Sequence, residues 1–253
     1  MIELRDITLS FGSRTLLQGA STRFTRGSMV ALLGRNGTGK STLLRAIASL
    51  GAVQGGEIRI NDINVASMSS SQLARVIAFV NTERIDVEAL TAHDLVAIGR
   101  APYTDWMGRL KAADEEAIRR AMQIAGIDHL RVRKVTTLSD GECQRVMIAR
   151  ALSQDTDVIL LDEPTAFLDL PNRYELCTLL RRLAHDEGKC IIFSTHELDI
   201  ALSLADSIAL IDTPMLRHMP TEEMILSGDI ERLFDSHYIS FDAASRAIRL
   251  HRE

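Results

Sequence analysis

The octapeptide Gly34-Arg35-Asn36-Gly37-Thr38-Gly39-Lys40-Ser41 matches the spacing G-x-x-x-x-G-K-[ST] at every fixed position, a pattern suited to the phosphates of a nucleoside triphosphate. Glycines let backbone N–H groups converge on phosphate oxygens, and the start of a following helix adds about half a positive charge. Lys40 is placed to reach the β- and γ-phosphates and the Ser41 hydroxyl to ligate Mg2+, while Thr42 continues the nucleotide-binding segment. Read alone, the segment could also be a glycine-rich turn, so its surroundings decide.

A second candidate ends the apolar run Val158-Ile159-Leu160-Leu161, where Asp162 and Glu163 are adjacent. Carboxylates at the end of a buried strand, beside a phosphate loop, suit metal and water chemistry. Asp162 is expected to hold Mg2+ through its waters, and Glu163 to orient the attacking water or take its proton. A third candidate is Leu138-Ser139-Asp140-Gly141-Glu142, which leads into a helix. Ser139 can cap that helix and Gly141 leaves backbone N–H groups open to an anion, although the same residues also make an ordinary capping turn.

These groups need rigid elements beneath them. Met29 to Leu33 is a continuous apolar run suited to a strand buried on both faces, and Leu43, Leu44, Ile47 and Leu50 recur at helical spacing until Gly51. Strand, glycine loop and helix thus follow in the required order. Further short strands are expected at Ile2 to Leu9, Leu17 to Phe24, Glu57 to Ile60 and Val76 to Val80, together resembling a mixed sheet. From about Ala89 the pattern turns helical, with helices at Asp94 to Gly99, Asp114 to Ala125 and Gly141 to Ser153. Strands at Val158 to Leu161, Cys190 to Phe193 and Ser207 to Ile211 then alternate with helices at Arg173 to Glu187 and Leu198 to Ala205, which argues for a parallel α/β sheet. Residues 214–253 read as irregular.

With 253 residues, 46% of them hydrophobic, the chain can bury a large core. A net charge of −5 gives no general argument for a nucleic-acid partner, and none is expected. Cys143, Cys177 and Cys190 lack metal-ligand spacing and fit reduced thiols in packing roles. The charged N-terminus does not read as a signal peptide and no run reaches the roughly 20 apolar residues that span a bilayer, so a membrane role calls for a separate subunit.

Taken together, the motifs resemble the ATP-binding subunit of an ABC transporter, in which phosphate loop, signature, acidic strand, D-loop and switch histidine follow in this order. Here they read GRNGTGKS at 34–41, LSDGE at 138–142, VILLDEP at 158–164, AFLD at 166–169 and STH at 194–196. The resemblance implies an ATPase that uses ATP and Mg2+, with a P-loop NTPase (RecA-like) core, an N-terminal antiparallel β subdomain and an inserted helical subdomain. It divides the chain into 1–88 and 154–253 as core with β subdomain, and 89–153 as helical subdomain. It also implies a head-to-tail dimer, in which Leu138, Ser139, Asp140, Gly141 and Glu142 of one copy close over the γ-phosphate held by the other. Asp169 is then expected at the dimer seam and His196 against the γ-phosphate and the attacking water. Phe11 matches the aromatic that stacks on adenine; an aromatic at a strand end also packs in cores, and stacking does not exclude GTP.

Two departures stand out. The family usually places a glutamine where this chain has Thr82, and the shorter side chain predicts a Mg2+ contact that is water-mediated or missing, with Glu83 as a substitute ligand. The signature carries Asp140 for glycine and Glu142 for glutamine, so both carboxylates are expected to point away from the phosphate or to be offset by a helix dipole and arginines such as Arg145. LSDGE is similar to the signature of importer ATPases for iron–siderophore, haem and cobalamin. The segment from Gly99 to Trp106 is similar to theirs as well, while its turn residues equally make a plain surface loop. The resemblance therefore implies uptake of an iron chelate, with cobalamin or a non-transport role as alternatives. A polytopic permease, indirectly a substrate-binding protein, and the cytoplasmic face of the inner membrane complete the expectation. A nucleotide kinase sharing only the phosphate loop leaves LSDGE and STH unexplained.

Overall fold

The computed structural model describes residues 1–81 and 87–250, so Thr82 and Glu83 lie outside the described residues. The chain opens with β1 (Ile2–Phe11) and β2 (Arg14–Phe24), then β3 (Ser28–Leu33), the phosphate loop and α1 (Lys40–Ile47). Next come β4 (Gly55–Ile60), β5 (Ile63–Asn64), α2 (Ser70–Leu73) and β6 (Ile77–Val80). Three helices follow before the chain returns to the sheet: α3 (Ala92–Ile98), α4 (Ala112–Ile124) and α5 (Asp140–Ser153). The remainder is β7 (Val158–Leu161), α6 (Leu170–His185), β8 (Cys190–Thr195), α7 (Leu198–Leu204), β9 (Ser207–Asp212), β10 (Met215–Pro220), α8 (Thr221–Leu226), α9 (Asp229–Phe234), β11 (Ile239–Asp242) and β12 (Ala247–Leu250).

The strands do not form one mixed sheet. They divide into an antiparallel sheet of order β2-β1-β4-β5 and a six-stranded sheet of order β10-β9-β3-β8-β7-β6, with β11 and β12 as a separate pair. In the larger sheet every neighbour pair is parallel except β9 with β10. Strand alternation explains how this sheet is covered. On β3, Met29, Ala31 and Leu33 join one core, while Val30 and Leu32 join the other. β7 divides in the same way, Ile159 and Leu161 against Val158 and Leu160, and so does β8, Ile191 and Phe193 against Cys190 and Ile192. The first core is filled by α3 to α9, the second by α1 and the antiparallel sheet. A run of uninterrupted apolar residues is what a strand covered on both faces requires.

The phosphate-loop helix ends at Ile47, earlier than its periodicity predicts, and Leu50 is exposed. The segment after residue 213 is not irregular. β10 returns antiparallel beside β9, and α8 and α9 bury Met224, Ile225, Ile230 and Leu233; helices of six residues are too short to display a helical period. Nor is the Gly99–Trp106 segment a plain surface loop. Arg100 and Asp114 form a buried ion pair at 2.9 Å, and Arg100 also donates to the Ser153 carbonyl at 2.8 Å and lies 3.9 Å from the Tyr103 ring centroid. Breaking such a pair from one side costs about 3–5 kcal/mol. Ala101 and the end of the segment emerge, with Trp106 exposed. Burial pushes the Cys177 and Cys190 thiols up to about 12, which fits packing roles.

His218 of β10 joins the two large sheets: Thr22 Oγ1 of β2 lies 2.8 Å from its Nδ1 and Ser207 Oγ of β9 lies 2.8 Å from its Nε2. Burial lowers the pKa of this imidazole below its ordinary 6.5. The unfolded chain therefore binds the proton more readily than the folded one, and stability contributed by this site falls as pH drops through and below 6.5. Urea denaturation midpoints at pH 7.5 and 5.5, in assays set at about these values to bracket the histidine range, should differ more for the native chain than for His218→Gln. Equal differences would refute the assignment.

Candidate functional site

Parallel strands deliver their C-terminal ends to one edge of a sheet, where ligands of open α/β folds collect. β3, β8 and β7 are consecutive neighbours in the sheet, with Leu33 paired to Thr195 and Leu161 to Phe193. The phosphate loop, Ser194 to His196 and Asp162 to Glu163 are therefore brought together by strand order alone.

Glycine is required at two of the loop's fixed positions for different reasons. At Gly34 a Cβ would lie 2.8 Å from Thr38 Oγ1 and 2.9 Å from the Ile211 carbonyl oxygen. Gly39, which precedes α1, has φ +101°, a backbone conformation that side-chain-bearing residues avoid. The Lys40 ammonium, 5% exposed, donates to the carbonyls of Gly34 at 2.9 Å and Arg35 at 3.2 Å. Burial pushes its pKa down, and the Glu163 and Asp162 carboxylates oppose that shift. A cavity of about 500 Å³ runs beside the loop, lined by Phe11, Asn36, Gly37, Lys40, Ser41, Thr42 and Glu163 among others. Phe11 is 76% exposed, so it is not a core residue.

Asp162 Oδ1 accepts two hydroxyl hydrogen bonds, from Ser41 at 2.9 Å and from Ser194 at 2.7 Å. Ser194 Oγ in turn accepts the Glu163 backbone N–H at 2.8 Å. This holds Glu163 where its backbone is least comfortable, at φ +45°, a strained setting for a residue with a side chain. The Glu163 carboxylate lies 3.5 Å from His196 Nδ1. Ser41 and Asp162 are hard oxygen donors suited to a small divalent cation, yet among the described residues no group of three or more His, Cys, Asp or Glu side chains could hold a metal. An ion held here would need ligands beyond these two, such as the phosphate and water oxygens that Mg2+ usually keeps.

The structure brings Lys40, Ser41, Asp162, Glu163 and His196 together and adds Ser194, to which the sequence reading assigned no role. Its signal was present: a hydroxyl on a fully buried strand must find a partner. LSDGE does not line the phosphate cavity. Ser139 caps α5 by accepting the Glu142 N–H at 3.3 Å, and Glu142 accepts the Ser139 N–H at 2.8 Å. That backbone bond, with the Ser139 hydroxyl and Arg133, holds the Glu142 carboxyl below its usual range. Arg133, at 3.0 Å, is the arginine that offsets Glu142; Arg145 does not, because it pairs with Glu175. A Cβ on Gly141 would meet only the Asn172 side chain, at an ordinary 3.6 Å, so packing within the chain does not demand glycine there. Asp169 caps α6, accepting the Asn172 N–H at 3.1 Å.

A two-faced parallel sheet with a glycine loop between β3 and α1 defines a P-loop nucleotide-binding protein. The ABC transporter family model matches residues 17–166, and the chain belongs to that family as an ATP-binding subunit, a class of ATPases. The chain is 34% identical over 231 residues to a petrobactin import ATP-binding protein of Bacillus anthracis, covering 91% of this chain and 85% of the relative. Its fold matches an inward-facing ABC transporter assigned to the metal-chelate type with TM-score 0.82 and 27% identity, over 92% of this chain and 88% of the other. A bacterial ABC transporter cassette solved as a dimer matches with TM-score 0.75 and 26% identity, over 87% and 99%.

Removing the Ser194 hydroxyl leaves the Glu163 N–H without its acceptor, at about 1–3 kcal/mol. Ser194→Ala should lower ATP turnover by about tenfold, as expected when a reacting group is misplaced, and should lower the urea midpoint. Unchanged turnover would show that the bridge does not position the acids.

Proposed function

We propose that this protein is the ATP-hydrolysing subunit of an importer for an iron chelate, a siderophore or haem. The observation that carries the mechanism is the convergence of Lys40, Ser41, Asp162, Glu163 and His196 at the ends of three adjacent strands, with Ser139 and Gly141 outside the cavity that Lys40, Ser41 and Glu163 help to line. Lys40 neutralises charge on the β- and γ-phosphates. Ser41, and Asp162 through water, would hold Mg2+, which would offset phosphate charge. Glu163 orients the attacking water or takes its proton, and His196, beside Glu163, addresses the γ-phosphate. Gly34, Arg35, Asn36, Gly37, Thr38, Gly39 and Thr42 complete the cradle, and Phe11 offers its exposed ring to adenine.

Exposed Ser139, and a glycine at 141 that the chain's own packing does not need, support a signature that acts on a second copy. Leu138, Asp140 and Glu142 frame it, and Asp169 lies at the seam between copies. The likeness to a cassette solved as a dimer supports the same arrangement. Residues 89–153 serve as the helical subdomain, because they are inserted between paired strands β6 and β7 and their described elements are helical. No helix of the described residues is long and apolar enough to cross a membrane. A polytopic permease, fed by a substrate-binding protein, supplies the pathway, and this subunit docks on it at the cytoplasmic face of the inner membrane. The cargo follows from relatives and neighbours associated with petrobactin import and metal chelates.

Glu163→Gln should bind ATP with affinity close to native while turnover falls by about 100-fold or more, the scale of general-base catalysis, and it should accumulate as an ATP-bound dimer. Lys40→Ala should instead lose ATP affinity. Undiminished hydrolysis by Glu163→Gln would remove Glu163 from the role of base.

A further inference from the structure

We infer that Arg173 and Glu197 are positioning residues that tie His196 to the segment 165–169, so that the placement of the histidine depends on the face expected to meet a second copy. The inference rests on the ATPase reading above.

Glu197, immediately after His196, is 12% exposed and uses both carboxylate oxygens within the chain. Oε1 accepts the Thr165 hydroxyl at 3.0 Å, and Oε2 accepts Arg173 Nη1 at 2.8 Å. The same guanidinium donates from Nε to the Leu168 carbonyl at 2.7 Å, which clamps the loop after Glu163 against residue 197. On the other side, the Glu197 N–H donates to Thr195 Oγ1 at 2.9 Å. Thr165 and Thr195 are 2% and 1% exposed, so both anchors are buried. His196 is held between a core strand and the 165–168 loop, with Nδ1 3.5 Å from Glu163, slightly beyond a good hydrogen bond.

Ordinary helix stability does not account for either residue. Glu197 holds the N-cap position of α7, yet its side chain makes no capping bond there. Arg173 lies near the N-terminus of α6, where a cation opposes the helix dipole. The clamped loop also presents Phe167, 81% exposed at φ +65°, and exposed Asp169. A large apolar side chain held in water on a strained backbone is poised for contact with another surface. Pressure on that apex would reach Glu197, the neighbour of His196, through the Leu168–Arg173 and Arg173–Glu197 contacts.

The test is a double-mutant cycle in the full chain: Glu197→Gln, Arg173→Met and the pair together, with kcat, KM for ATP and melting temperature measured for each. Each single change should lower kcat by about tenfold or more, as expected for a misplaced catalytic group, with KM within about twofold. The double variant should be no worse than the weaker single, and Arg173→Lys should recover part of the loss. Unchanged kcat, effects that multiply in the double variant, or kcat losses that track melting temperature would overturn the pairing. A native chain without ATP turnover would overturn the ATPase reading itself, whereas native turnover beside silent or multiplicative variants overturns only the role of Arg173 and Glu197.

Discussion

One carboxylate oxygen, Asp162 Oδ1, receives hydroxyl hydrogen bonds from Ser41 at the start of α1 and Ser194 on β8. These two bonds join the products of three strands: the loop after β3, the acidic pair after β7 and the serine near the end of β8. Because Ser194 also accepts the Glu163 N–H, the two adjacent acids share one fixed point. Charge-assisted bonds of this kind are about twice as strong as neutral ones. They fix Ser194, whose oxygen accepts the Glu163 N–H and so helps to hold that residue at a positive φ that an isolated turn would not sustain.

That fixed point depends in turn on a sheet whose strands cannot slip. A shift of one residue in β3 would move Met29, Ala31 and Leu33 from the helical core into the core shared with α1, and carry the phosphate loop with them. Both faces are filled, so neither register error nor rotation of a strand is tolerated. The antiparallel sheet and α1 close one face, and the helices, including those inserted between β6 and β7, close the other. The signature helix α5 belongs to the second group, which places LSDGE away from the loop of its own chain.

Much of this was legible in the residues. The phosphate loop, the acidic strand and the β8 strand carry their own patterns, because fully buried parallel strands read as uninterrupted apolar runs. The division into a core sheet and an antiparallel sheet was implied by the family resemblance, and the uninterrupted apolar run of β3 fits the core, but β6 looks like its N-terminal neighbours and only long-range pairing assigns it to the core layer. Likewise α8 and α9 are shorter than two helical turns, and β10 is defined by its hairpin with β9 rather than by alternation. Arg133 in place of Arg145 is a matter of tertiary reach, since Arg145 is drawn to Glu175 on α6. The buried Ser194 hydroxyl announced that it needs a partner, but that its partners are Asp162 and the Glu163 N–H follows only from the pairing of β7 with β8.

In the proposed dimer each chain carries half of two sites, a phosphate loop that works with the signature of another copy. Mixing two variants, each inactive alone, tests it most directly: Lys40→Ala, with an intact signature, and Ser139→Arg, with an intact loop. ATP turnover of the mixture should recover well above either variant alone, because mixed dimers rebuild one complete site. Turnover that stays at the level of the separate variants would contradict a site shared between copies.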